Sequence, residues 1–199
     1  MSAVPERIVA LFRGGAAEAS TALTKWLGRI ATVAVEQVDR LPLDAAAGIL
    51  GGADEPVCAC AMGVSGGVEG VLVLVSDDPG GLALCDTLLD RPAGTATHWG
   101  DVERSAFAET ANIVGCAYLN AIALAIDDGA EGVVPSPPWF VRDYPSSLMD
   151  AVLVEQAAVG ADVFLTRTEF RITAAPVRCG LVFVPHAASL RAIERLGRP

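Results

Sequence analysis

The segment Gly70-Val71-Leu72-Val73-Leu74 returns 110 residues further on as Gly180-Leu181-Val182-Phe183-Val184, and each copy leads into a helical stretch. A weaker echo links Thr21-Ala22-Leu23-Thr24 to Asn120-Ala121-Ile122-Ala123 at an offset of 99. The offsets differ by 11 residues, which places an insertion in the second half, around the Pro-rich stretch Val133 to Pro138. A repeated supersecondary unit must bury its apolar face, and two copies do so most simply against each other. The expected fold class is therefore α/β of the α+β kind. Two helix-strand-hairpin-helix repeats, about residues 6–90 and 101–199, share one core as a pseudo-two-fold pair in a single domain spanning 1–199.

Periodicity supplies the elements. Ile8, Leu11, Phe12, Leu23 and Leu27 recur at helical spacing, so Glu6 to Leu27 is predicted as a helix, with Gly14-Gly15 as a place for a kink. Alternation from Ile30 to Val38, closed by Pro42, predicts a strand. Val57 to Val64 and Val71 to Val75 predict two more, joined as a hairpin through Ser65-Gly66-Gly67. A helix follows from about Pro79 to Asp90, and Arg91 to Gly100 reads as a linker. Beyond it a long helix is expected over Val102 to Ile126, capped by Asp101, and then the Pro-rich segment. A helix near Ser146 to Gln156, strands at Asp162 to Ile172 and Val177 to Val184, and a helix from about Ala187 to Leu196 complete the second half.

Composition removes whole classes of function. A formal net charge of −10 repels phosphate backbones, because nucleic-acid binding rests on clustered Lys and Arg, so nucleic acid is not an expected partner. Glu6, Arg7 and Arg13 interrupt the first fifteen residues, which therefore do not read as a signal peptide, and a cytoplasmic location is expected. The five cysteines, an odd number each set in apolar sequence, are expected reduced and buried. Cys58-Ala59-Cys60 would place two thiols on one strand face, but a zinc site needs about four ligands and no His accompanies the pair, so no metal is expected. The run Ala106 to Ile126 is apolar enough to cross a bilayer by length alone. Glu109, Asn112 and Asn120 lie inside it, and a carboxylate there would cost several kcal/mol, so a core helix without membrane insertion is expected.

That helix also carries the candidate chemistry. Ser105, Glu109, Asn112 and Cys116 stand at i, i+4, i+7 and i+11, on one helical face, among apolar neighbours such as Phe107, Ala111, Val114 and Tyr118. This seam is either the solvated side of a surface helix or a docking face. Ordinary solvated faces favour Lys, Glu and Arg, whereas this one offers one carboxylate, one amide and small residues, so another protein can approach closely. His98 and His186 lie in different halves without ligand-like spacing. None of the glycine pairs is followed by Lys-Ser or Lys-Thr, which excludes a phosphate loop.

Ser105-x3-Glu109-x2-Asn112, followed after 22 intervening residues by Pro135, resembles the signature Asp/Ser-x3-Glu-x2-Asn-x22-Pro of the CheC, CheX and FliY phosphatases of bacterial chemotaxis. Such a match arises by chance roughly once in a few hundred chains of this length. The stretch from Glu109 to Ile113 is similar to the family's Glu-Ile-Gly-Asn-Ile helix, and Val184-Pro185 to its close. The resemblance implies a CheC-like fold and hydrolysis of the aspartyl-phosphate of a CheY-like response regulator. It implies that Asn112 orients the attacking water and that Glu109 pairs with the receiver's Lys, while Ser105 supports the seam and Pro135 shapes the chain beside it. No cofactor of its own is implied, since the phosphorylated receiver carries the Mg²⁺. Counting back from Thr21 puts Ala10 and Arg13 at the Glu and Asn positions of the first half and Glu36 at the Pro position, which implies one intact and one degenerate site. Two other readings stay open: a non-catalytic adaptor or regulator, for example one that binds CheD, and a component of the flagellar switch, whose FliM-like and FliY-like proteins share the fold.

Overall fold

The computed structural model describes residues 4–42, 45, 55–127, 132–156, 162–172 and 175–196. Among them the chain runs α1 (Glu6–Leu27), β1 (Ala31–Pro42), β2 (Val57–Gly66), β3 (Gly70–Asp77), α2 (Asp78–Leu88) and α3 (Asp101–Asp127). It continues through β4 (Val133–Pro135), β5 (Trp139–Asp143), α4 (Pro145–Gln156), β6 (Asp162–Ile172), β7 (Ala175–Pro185) and α5 (Ala187–Leu196). The strands form one antiparallel sheet in the order β1-β6-β7-β3-β2-β4, with β5 pairing β2 further along that edge.

Why each strand sits where it does follows from its side chains. The nearly continuous apolar runs of β2 and β3 feed two cores at once, as the two-residue period of a strand requires. Cys58, Cys60, Met62, Leu72 and Leu74 join Phe12 of α1, Leu84 of α2 and Phe107 of α3. Val57, Ala59, Ala61, Val71, Val73 and Val75 join Leu148 of α4 on the other side. Strand β1 alternates buried with exposed residues over its first half, and it lies at the edge. At the centre β3 and β7 pair with Gly70 opposite Pro185 and Val75 opposite Gly180. These are the two strands whose sequences echo one another. The strand order reads alike from either edge when β1, β2 and β3 are exchanged for β5, β6 and β7.

Helix α1 runs through Gly14-Gly15 as one element and buries Ile8, Phe12, Ala16, Ala19 and Leu23. It stops at Gly28, whose left-handed φ of 66° lets its N–H reach the Thr24 carbonyl at 3.0 Å. Ser20 Oγ accepts the Val33 N–H at 2.8 Å and Thr24 Oγ1 accepts the Ala31 N–H at 3.0 Å, which ties α1 to β1.

Three details differ from the sequence expectations. Asp101 is the first residue of α3 and not its cap, the carbonyl of Gly100 accepting the Arg104 N–H at 3.0 Å. The Pro-rich stretch contains β4 and is followed by β5, strands of 3 and 5 residues. They are too short for alternation to reveal, and proline is tolerated there because the segment forms a sheet edge. Residues 91–100, read as a linker, are anchored although they form neither helix nor strand. Buried Asp86 accepts the N–H groups of Thr95 and Ala96 at 2.9 and 2.8 Å. Trp99 donates its indole N–H to Asp78 at 2.9 Å and packs on Phe107 and Phe140, with ring centroids 5.5 and 4.8 Å away.

Candidate functional site

Helix α3 lies over the sheet with Phe107, Ala111, Val114, Tyr118, Leu119 and Ile122 buried. Spacings of three and four residues place most of these side chains on one face, which leaves Ser105, Glu109, Asn112 and Cys116 at least partly exposed on the other side. Among the described residues this helix, from Asp101 to Ile126, is long and apolar enough to cross a membrane, and half of that stretch is buried inside the protein.

The outward face carries the predicted seam. Ser105 and Glu109 are exposed, and Asn112 and Cys116 are half-buried. Asn112 and Cys116 line an open groove of about 1050 Å³ between α3 and α1. Gly14, Glu18 and Ala22 supply the α1 wall, and Gly132 and Val133 complete the lining. Small residues, Ala117 and Ala121 among them, keep it roomy. Glu109 stands one turn before Asn112, outside the lining, and no described side chain hydrogen-bonds or ion-pairs with it. The Cys116 thiol donates to Asn112 Oδ1 at 3.6 Å. Burial pushes that thiol above its ordinary range, and the Glu109 carboxylate pushes it the same way, so it stays protonated.

The structure thus brings Asn112 and Cys116 together in the groove and sets Glu109 and Ser105 further up the same helix. Pro135 lies elsewhere. It pairs with Val64 in the sheet and lines a smaller depression with Gly63, Ser136 and His186, two residues along β4 from Val133 of the groove. On α1, Ala10 and Arg13 are exposed, and Arg13 ion-pairs with Glu6 at 3.1 Å. Glu18 is the groove residue that sequence reasoning missed. Nothing in its local sequence distinguishes it, and only the packing of α1 beside α3 places it there.

The remaining sequence candidates fall outside the groove. His98 is exposed, and His186 Nδ1 lies 3.3 Å from Glu69 Oε2 at the far end of the central strands. Cys58 and Cys60 are buried under the helices, with the Cys58 thiol donating to the Ser76 carbonyl at 3.3 Å. Among the described residues no group of three or more His, Cys, Asp and Glu side chains is placed to hold a metal ion.

A seven-stranded antiparallel sheet whose two central strands come from opposite halves, covered on one face by a pair of long helices, defines the CheC-like fold. The chain is similar over 99% of its length to FliY of Thermotoga maritima, covering 98% of that chain with a TM-score of 0.78 and 18% identity. It is also similar to the FliM middle domain of H. pylori, with 98% of this chain and 99% of that one covered, a TM-score of 0.67 and 12% identity. For the chemotaxis protein CheX of Desulfovibrio desulfuricans the coverage is 89% and 99%, the TM-score 0.54 and the identity 9%. No protein-family model matches the sequence, and no curated protein matches it. The likeness is one of fold.

Proposed function

We propose that this chain is a phosphatase acting on the aspartyl-phosphate of a CheY-like response regulator through Asn112 and Glu109. The observation that carries the reading is the position of Asn112. Its amide is half-buried at the groove, one turn from the exposed carboxylate of Glu109. An acyl phosphate is a high-energy bond, so its hydrolysis needs a placed water and charge balance more than a strong base. In this reading the receiver's own Mg²⁺ and Lys hold the phosphoryl oxygens. The Asn112 amide orients a water for in-line attack, and Glu109 pairs with the Lys and fixes the register of docking. Ser105 supports the seam from one turn earlier, and Pro135 holds the β4 edge from which Val133 reaches the groove. The chain needs no cofactor of its own and works in the cytoplasm.

The same reading takes the chain as one domain of two related halves, about residues 6–90 and 101–199. The first half has no working site, because Ala10 and Arg13 stand where a carboxylate and an amide are required. Mixing the purified chain with a phosphorylated receiver and Mg²⁺ tests the reading. Phosphate lost faster than from the receiver alone supports it, and an unchanged rate overturns it.

One observation favours a second reading as a switch component. The TM-score to the FliM middle domain, 0.67, exceeds that to CheX, 0.54. A FliM of H. pylori has been solved in complex with FliG. Tight binding to a FliG-like protein with no loss of receiver phosphate would decide for this reading.

A further inference from the structure

We propose that Cys116 is a positioning residue that holds the carboxamide of Asn112 in one of its two orientations. The proposal rests on the phosphatase reading above for its consequence, and on geometry for the contact itself. A carboxamide has an accepting end and a donating end, and the torsion that exchanges them is broad and roughly two-fold. An asparagine at the mouth of an open groove therefore presents either end unless something distinguishes them. Cys116, one turn further along α3, does so: its Sγ lies 3.6 Å from Asn112 Oδ1.

Among the described residues, the hydrogen bond of this thiol is the one to Asn112. Burial and the Glu109 carboxylate keep its proton in place. The thiol occupies one lone pair of Oδ1 and leaves the second for a water, and it turns the NH₂ group away from itself, toward a docked phosphoryl group. Asn112 is then ordered before the receiver arrives, which removes an ordering cost from the transition state. A thiol is a weak donor, so its loss should lower kcat by roughly three- to tenfold, the size of one modest hydrogen bond. KM should change little, because the thiol acts through the Asn112 amide and carries no charge for the receiver to pair with.

Two measurements test this. The first is steady-state hydrolysis of a phosphorylated receiver by the wild type, Cys116→Ala and Cys116→Ser, with thermal midpoints to confirm folding. The expected result is a several-fold fall in kcat at constant KM for Cys116→Ala and recovery in Cys116→Ser, whose hydroxyl restores a donor. The second needs no receiver: the side-chain NH₂ resonances of Asn112, assigned by their disappearance in Asn112→Ala, are followed by NMR. They should be well separated in the wild type and Cys116→Ser and should converge toward free-amide values in Cys116→Ala. Unmoved resonances in Cys116→Ala overturn the proposal, as does an unchanged kcat in an active enzyme. If the wild type hydrolyses no receiver phosphate while the resonances still converge, the contact stands and the phosphatase reading falls.

Discussion

Gly15 of α1 lies so close to Tyr118 of α3 that a Cβ on it would fall 2.8 Å from the Tyr118 ring at Cδ1 and 3.0 Å from Tyr118 Cα. Tyr118 is fully buried, its ring 6.3 Å from that of Phe12, so it has nowhere to retreat. The missing side chain sets how near the two helices approach, and the groove beside Asn112 is the space left between them. Gly15→Ala should destabilise the protein by about 1–3 kcal/mol, because backbone as well as ring must shift. Its neighbour is the control. A Cβ at exposed Gly14 meets nothing within 4 Å. Gly14→Ala should therefore stabilise the helix by up to about 1 kcal/mol. Urea midpoints of the two variants, moving in opposite directions, check both statements.

Asn112 and Glu109 should separate kinetically. If the amide acts mainly in the transition state, Asn112→Ala should lower kcat by on the order of 10², about 2.7 kcal/mol, with little change in KM. Glu109→Gln should raise KM and reduce the sensitivity of the remaining activity to salt, because an ion pair that steers docking is lost. Circular dichroism should show both variants folded. Full activity in both would overturn the assignment of hydrolysis to these two residues.

Arg13→Ala should leave receiver dephosphorylation nearly unchanged. Among the described residues it pairs with Glu6, both side chains are more than half exposed, and the equivalent carboxylate position is Ala10. Loss of such a surface pair should alter stability by less than about 1 kcal/mol. A large fall in activity in a folded variant would show that the first half is used.

The buried thiols predict an alkaline decline in stability. Burial pushes Cys60, Cys85 and Cys179 up to about 12, and Cys58 further the same way. In the unfolded chain these thiols ionise near their ordinary value of about 8.5. The folded state then holds protons that the unfolded state has released, so the stability they confer is complete below that value and is lost as pH rises toward 12. The slope should reach about 1.4 kcal/mol per pH unit for each thiol. Urea midpoints between about pH 8 and pH 11 would show it, with a shallower fall in Cys60→Ala; identical profiles for the two proteins would contradict it.

Local periodicity made much of this molecule legible. Glu109 and Asn112 share a face with Ser105 because 3.6 residues make a turn wherever a helix forms, and the apolar residues around them announced the helix. The short apolar run from Val71 to Val75 and its echo from Gly180 likewise announced strands. Short pieces escaped, since three residues ending in Pro135 carry no period, and the anchoring of residues 91–100 depends on Asp86, a carboxylate whose sequence neighbours say nothing of the N–H groups it will meet. The site itself divides the same way. Its helix, its carboxylate and its amide were determined by the sequence of one segment. That Glu18 and Gly14 wall the groove, that β3 meets β7 at the centre of the sheet, and that α1 approaches as near as Gly15 allows were decided only by tertiary packing, because contact between segments a hundred residues apart depends on how two surfaces fit and not on the pattern of either one.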